Sequence, residues 1–301
     1  MKPTSIIFLI VSIVLVIGGF ATAGVAKQLA AAEGIELGEG ISDDGENVVY
    51  TYEYDADNIG KISINVKEAT VNVIGGAAKP YIELVNFPEG MYDFSSSNRV
   101  ITLNDSAEFT SLSGLASLAM NFKGLRSFVN YYNMMELERT VNIYLCEDYP
   151  VNVIDVTAMG GSVNIKDNAT STDYNIDIAV GELNMDNIHT SSSVSVEVET
   201  GDINLNGCEI EQMSAKLGVG SIKMNAHIYR LDASISTGDF NYGYYGSLQF
   251  TNYKLFTNVG TITVDGEAFG GYKESSELAT QNIISVSVGV GDIVIDSDTQ
   301  R

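Results

Sequence analysis

One short pattern recurs through the second half of this 301-residue chain and constrains its fold more than any other feature. Its seven copies are Gly161-Ser-Val-Asn-Ile, Gly181-Glu-Leu-Asn-Met, Gly201-Asp-Ile-Asn-Leu, Gly220-Ser-Ile-Lys-Met, Gly238-Asp-Phe-Asn-Tyr, Gly260-Thr-Ile-Thr-Val and Gly291-Asp-Ile-Val-Ile. Successive glycines are 20, 20, 19, 18, 22 and 31 residues apart. Ahead of each glycine, apolar residues alternate with period two, as in Tyr174, Ile176, Ile178 and Val180 or Ile284, Val286, Val288 and Val290. Each repeat therefore reads as strand, glycine corner, strand, polar corner. A two-strand unit cannot bury its apolar face alone, whereas stacked units share a core and a parallel ladder. The expectation is an all-β fold, a parallel β-solenoid (β-helix or β-roll) of ~20-residue turns. Seven turns at about 4.8 Å make a rod about 34 Å long.

Within a turn, each glycine is expected to bend the chain between inward residues at −1 and +2. Strand spacing alone also permits an antiparallel sandwich. Residue identity at equal phase favours the solenoid: Asn164, Asn184, Asn204 and Asn241 each lie three after their glycine, where outward side chains can stack as an amide ladder.

The first half carries fainter copies. Ile62, Ile64 and Val66, then Val71 and Val73, read as an initial turn with Ala69 in the glycine slot. Tyr81–Val85, Arg99–Leu103 and Thr140–Leu145 read as further strands. Residues 111–137 differ: Leu112, Leu115, Ala119, Phe122, Leu125, Val129, Tyr132 and Met135 are spaced by threes and fours, an amphipathic helix with a break at Gly124. Inserted between strands, it is expected to cap the open end of the stack. Residues 109–135 hold Lys123 and Arg126 and no acid, so contact with anionic lipid is the alternative.

At the N-terminus, Ser5 to Ala26 is uncharged and apolar, and as a helix its 22 residues reach about 33 Å, enough for a hydrocarbon core. Residues 1–26 are read as a membrane anchor, with a signal peptide cut after Ala21-Thr22-Ala23 as the alternative. Either way the remainder is exported, and with the anchor retained the chain is a single-pass cell-membrane protein with its C-terminal part outside. Residues 27–49 read as an acidic Gly/Ala spacer and residues 50–301 as the solenoid.

Composition narrows the function. With 16 Lys and Arg against 39 Asp and Glu, the net charge is −23, and phosphate backbones repel such a chain, so nucleic acid is not a partner. The two cysteines, Cys146 and Cys208, exclude a disulfide framework. They are 62 residues apart, close to three turns or about 14 Å along a rod, too far for a bridge, so two free thiols are expected.

Cys208 and His227 both lie seven after their glycines, with His189 at eight. Adjacent turns would bring them into metal-ligand range beside Glu209 and Glu211, but polar corners collect such residues ordinarily. Glu182, Asp202, Asp239 and Asp292 follow their glycines at +1 and read as a solvated acidic face rather than a calcium cage. No catalytic residue and no cofactor site stand out: Gly218-Val-Gly220 and Gly289-Val-Gly291 open strands, not helices. Among the crowded aromatics around residue 250, Tyr244 and Tyr245 are placed at a corner facing outward, suited to a glycan or protein partner.

The recurring Gly-[Asp/Ser/Glu] turns, the lead-in Thr140-Val-Asn-Ile-Tyr-Leu and the N-terminal apolar segment together resemble the bacterial DUF4097 group of β-strand-repeat surface proteins, for which "adhesin" is a label. The resemblance covers residues 50–301 and implies a membrane-tethered, surface-exposed β-solenoid with no catalytic or binding residues to carry over. The 31-residue spacing and the helical insertion depart from it. The reading that follows is a non-enzymatic binding scaffold at the envelope. Its rivals are an envelope-sensing ectodomain with a membrane partner and a polysaccharide-active enzyme.

Overall fold

The computed structural model describes residues 48–54, 59–87, 92–105, 137–146, 151–167, 169, 171–275 and 280–297. The N-terminal apolar run, nearly all of the spacer and most of the helical insertion, with Lys123 and Arg126, lie outside them. Among the described residues no helix is long and apolar enough to cross a membrane. Apart from a 3-10 turn at Leu248–Phe250, the regular elements described are strands, joined in one 18-stranded sheet.

The glycine repeats build its middle. Strands β8 (Val151–Lys166), β9 (Ser171–Asp186), β10 (His189–Val219) and β11 (Ile222–Thr237) pair parallel and in register. Gly181 sits opposite Gly161, and Gly201 opposite Gly181. The bends are gentle enough that β10 runs unbroken through a glycine corner and a polar corner. Inward positions line up from turn to turn: Ile154 with Tyr174 and Val194, and Val163 with Leu183, Ile203 and Ile222, all essentially inaccessible. This aligned Ile/Val/Leu interior is the core, and each such side chain contributes about 1.5–3 kcal/mol by its burial.

Position −1 corrects the expectation. Alternation holds through Tyr174, Ile176 and Ile178, but Val180 is 59% exposed, and Val219, Val259 and Val290 are similarly open. The chain starts to turn before the glycine, so the residue at −1 swings out while the one at +2 stays inside.

The ends of the stack do not follow sequence order. Strands β12 (Phe240–Tyr244), β13 (Asn252–Val259) and β14 (Ile262–Val264) continue the series, and β17 (Ile283–Val290) and β18 (Ile293–Ser297) close the chain. Yet β17 pairs with both β11 and β13, and β18 with both β12 and β14. The last turn in sequence therefore lies between the turns of Gly238 and Gly260. The 31-residue spacing is thereby explained: after Gly260 the chain makes β15 (Glu267–Phe269) and β16 (Tyr272–Glu274), antiparallel to β14 and β13, and then returns into the gap.

The other end mirrors this. β2 (Lys61–Glu68) and β3 (Thr70–Ile74) form the first turn, with Ala69 in the glycine slot, and stack on β8. Outside them lie β6 (Val100–Asp105) and β7 (Thr140–Tyr144), parallel to β2 and β3 and forming one turn between them. Beyond these, β5 (Tyr92–Ser97) runs antiparallel to β6, β4 (Tyr81–Val85) antiparallel to β7, and β1 (Val49–Glu53) antiparallel to β4.

The corner between β6 and β7, made tightly at Ala69 or at a glycine in the other turns described, is opened to admit residues 106–139. Its neck is stapled: Arg139 Nη1 donates to Asp105 Oδ2 at 3.0 Å, the Lys67 N–H donates to the same oxygen, and Asn86 Nδ2 donates to the Glu138 carbonyl.

Both cysteines are free thiols. Stacking runs β7–β3–β8–β9–β10, so Cys146 and Cys208 are four steps apart, not three, because the first turn intercalates.

Candidate functional site

The second strand of each turn presents its middle residue outward, and these residues form a row of half-buried amides. Asn204 Nδ2 donates to Asn184 Oδ1 (3.0 Å), Asn184 to Asn164 (3.0 Å), Asn164 to Asn72 (2.9 Å) and Asn72 to Asn142 (2.8 Å). Asn142 Nδ2 in turn donates to Glu83 Oε2 (3.3 Å). All donors point one way, and the row ends on a carboxylate, a group with acceptors only. The sequence marked Asn164, Asn184 and Asn204 but not Asn72 and Asn142, which the intercalated turns add. It also placed Asn241 in the row. Register puts Lys223 between Asn204 and Asn241, so the row stops at Asn204. Asn184, Asn164, Asn72 and Asn142 each spend one N–H and one lone pair along the row, and Asn204, at its head, spends one N–H, so each keeps a second N–H and at least one lone pair outside the row.

Two residues beyond Asn142 and Glu83 on the same face, Tyr144 and Tyr81 stack with ring centroids 4.2 Å apart and planes 16° from parallel. The loop over residues 75–79 stands beside them, held by the Gly75 N–H on the Lys166 carbonyl and the Ala77 N–H on the Leu145 carbonyl. Together with Ile74 they line a groove of about 590 Å³ with Lys79 at its edge. Burial, then the charge of Glu83, pushes the Tyr144 hydroxyl up to about 12, so it remains a neutral donor at ordinary pH. A flat ring pair beside a line of unspent amide groups matches a ligand with apolar ring faces and many hydroxyls. The sequence signal for this site was the Gly75-Gly76 turn followed by an aromatic strand, a pattern common enough to be passed over.

Of the predicted contact pair, Tyr244 does not face outward. Tyr244 is 1% exposed: alternation from Phe240 through Tyr242 carries it inward, where its hydroxyl accepts from Thr251 Oγ1 and Asn282 Nδ2, both at 3.3 Å. Tyr245 is half-buried at the strand's end.

The metal constellation also fails to assemble. A one-residue register slip between Asn206 and Cys208 sets Cys208 against Ala226 and Glu209 against His227. Cys208 then points into the core, and burial pushes its thiol up, away from thiolate chemistry. His189 Nδ1 lies 3.5 Å from Glu209 Oε2, whereas the His227 ring packs on Tyr229 and Tyr244 with a buried, unpartnered Nε2. Among the described residues no group of three or more His, Cys, Asp or Glu could hold a metal ion.

The +1 acids have a structural use. The Ser221 N–H donates to Asp202 Oδ1 (2.8 Å), that of Asp292 to Asp239 (2.9 Å) and that of Thr261 to Asp292 (2.7 Å). These carboxylates satisfy corner N–H groups that the ladder leaves open.

A family model described as Toastrack DUF4097 matches residues 59–289. Among solved structures, a provisionally named adhesin from Bacteroides fragilis is similar at 17% identity, covering 84% of this chain and 97% of its own, with a TM-score of 0.49. A provisionally named cell adhesion protein from Clostridium sporogenes is 15% identical over 84% of this chain and 100% of its own, TM-score 0.37. A Parabacteroides distasonis protein provisionally named for lipid binding is 9% identical over 85% and 98%, TM-score 0.37. No curated protein matches the chain.

Proposed function

The chain belongs to the Toastrack DUF4097 family, and on that premise we propose that it is a non-enzymatic binding scaffold of the cell surface. In this reading the stacked turns are a parallel β-solenoid, residues 1–26 anchor it in the cell membrane, and the folded part stands outside. Its ligand is an extracellular glycan, held on the face of Tyr81, Tyr144 and the asparagine row.

The observation that carries the ligand is the continuity of that face: a stacked tyrosine pair in a groove, adjoined by five amides with hydrogen-bonding capacity to spare. The perturbed groups support a passive role. Tyr54, Tyr174 and Tyr242 are raised chiefly by burial, as packed core phenols are, rather than poised for proton transfer. An end-on tether is supported by β1, the first described strand, lying at one extremity of the sheet.

Titration against cell-wall polysaccharide fragments tests the reading. Tyr81→Ala with Tyr144→Ala should weaken binding about tenfold or more, and Tyr144→Phe should largely retain it. Equal affinity of the double alanine variant and the parent would overturn the assignment of the site, and turnover of the polysaccharide would overturn the scaffold.

A further inference from the structure

The glycine corner carries a second surface. Register aligns the residues at −1 in one exposed column: Thr200 lies beside Val180, Thr237 beside Val219, and Val290 beside both Thr237 and Val259. Val180, Val219, Val259 and Val290 are 48–59% exposed. Next to this column run the glycines, without side chains and half-buried except for the exposed Gly260. Their far side is the +1 column, which includes Glu182, Asp202, Asp239 and Asp292, and Glu199 flanks the valines from the −2 side. No lysine or arginine occupies positions −2 to +1 of these turns.

The result is a linear trough with a floor of bare backbone, one wall in which four exposed valines share the column with Thr200 and Thr237, and one wall rich in carboxylates. Six turns at about 4.8 Å give it a length of about 24 Å between its end residues. Exposed apolar surface repeating over that length is unusual on a soluble face and marks contact. The two walls select the partner by charge as well as by apolarity.

We propose that this trough docks a cationic amphipathic helical segment of a partner protein, its apolar stripe against the valines and its lysines and arginines against the carboxylates. A helix of about 16 residues spans it, and the pairing is that of a helix laid along an apolar groove. The site is separate from the tyrosine face and does not rest on it.

The test uses the purified full chain and a fluorescent 16-residue peptide of leucine and lysine, with leucines at i, i+3, i+4 and i+7. Val180→Ser with Val219→Ser and Val290→Ser should weaken binding at least about tenfold with an unchanged melting temperature, since these side chains contribute little to the core. Glu182→Gln with Glu199→Gln should flatten the salt dependence. A leucine–glutamate peptide should not bind. Equal affinity of parent and valine-to-serine variant, or of the two peptides, overturns the proposal. So does binding that emerges only after residues 109–135 are deleted, because the trough's occupant would then be the chain's own basic segment.

Discussion

At the scale of single residues, the corner glycines are where chemistry and geometry meet most tightly. Gly201 has φ +143°, and a Cβ there would stand 1.6 Å from the Gly181 carbonyl oxygen of the turn below. Two penalties coincide, a backbone region that L-residues avoid and a clash with backbone that cannot move alone. Gly201→Ala is expected to cost about 2–4 kcal/mol in urea unfolding, whereas Gly270→Ala, with nothing within 4 Å of its Cβ, should be near neutral. Asp173 illustrates a second residue-scale device. Its carboxylate accepts from Ser192 Oγ, Ser193 Oγ and the Ser193 N–H, and these bonds hold it below the ordinary value of 3.8. A depressed folded-state pKa stabilises above the unfolded value and loses that contribution as pH falls through the folded one. The stability gap between parent and Asp173→Asn should therefore shrink on going from pH 7 to pH 3, as read from urea midpoints. Sequence could mark these glycines by period alone. It could not assign Gly207 as the extra residue that turns Cys208 inward, because the change of alternation from Leu205 to Cys208 falls at a polar corner, where the period is interrupted in any case.

Among elements, the amide row shows how far a repeat can be read in sequence. Phase predicted the outward asparagines of consecutive turns, and their bonds join β8, β9 and β10. It did not predict Asn72 and Asn142, whose turns stack out of sequence order. Asn184→Asp sets an acceptor against Asn164 Oδ1 while keeping the bond from Asn204, so one link breaks. The expected loss is about 1–3 kcal/mol, measured by chemical denaturation near neutral pH. Tyr244 failed for a related reason: a local run of aromatics looked like a corner, but inward alternation persisted to the strand's last residue. The neck of the 106–139 insertion is likewise a matter of elements. Asp105 is nearly sealed from solvent, so Arg139→Met should leave a buried carboxylate without its ion pair and destabilise by about 3–5 kcal/mol.

For the whole molecule, the decisive fact is that the first and last of the described turns are interior. β2 and β3 lie between β6–β7 and β8, and β17 and β18 lie between the turns of Gly238 and Gly260. Consecutive stacking would let the C-terminal turn peel off without disturbing the rest. Here, removing residues 282–301 takes a layer from inside the stack. Hydrogen exchange on that truncation should show residues 252–274 losing protection while residues 151–237 keep theirs. Equal protection in both regions would mean that the Gly260 turn can repack directly on Gly238. Sequence could not disclose this order, since the inward residues of every turn are alike enough to accept several neighbours. Only the 31-residue spacing hinted at it.

The edges follow from the same plan. The outermost strands at the C-terminal end, β15 and β16, are three residues long, so little unpaired backbone is offered to another chain.

A layer that is made after the two turns it separates also imposes a timetable on biosynthesis. Until residues 283–297 have emerged from the ribosome, the Gly238 and Gly260 turns lack the layer that belongs between them. A message cut short by a few codons before Ile283 would release a protein whose middle is sound and whose end cannot close, an open product that proteases can distinguish from the finished one. Residues 283–297 thus act as a keystone, seated between two turns that are made before them.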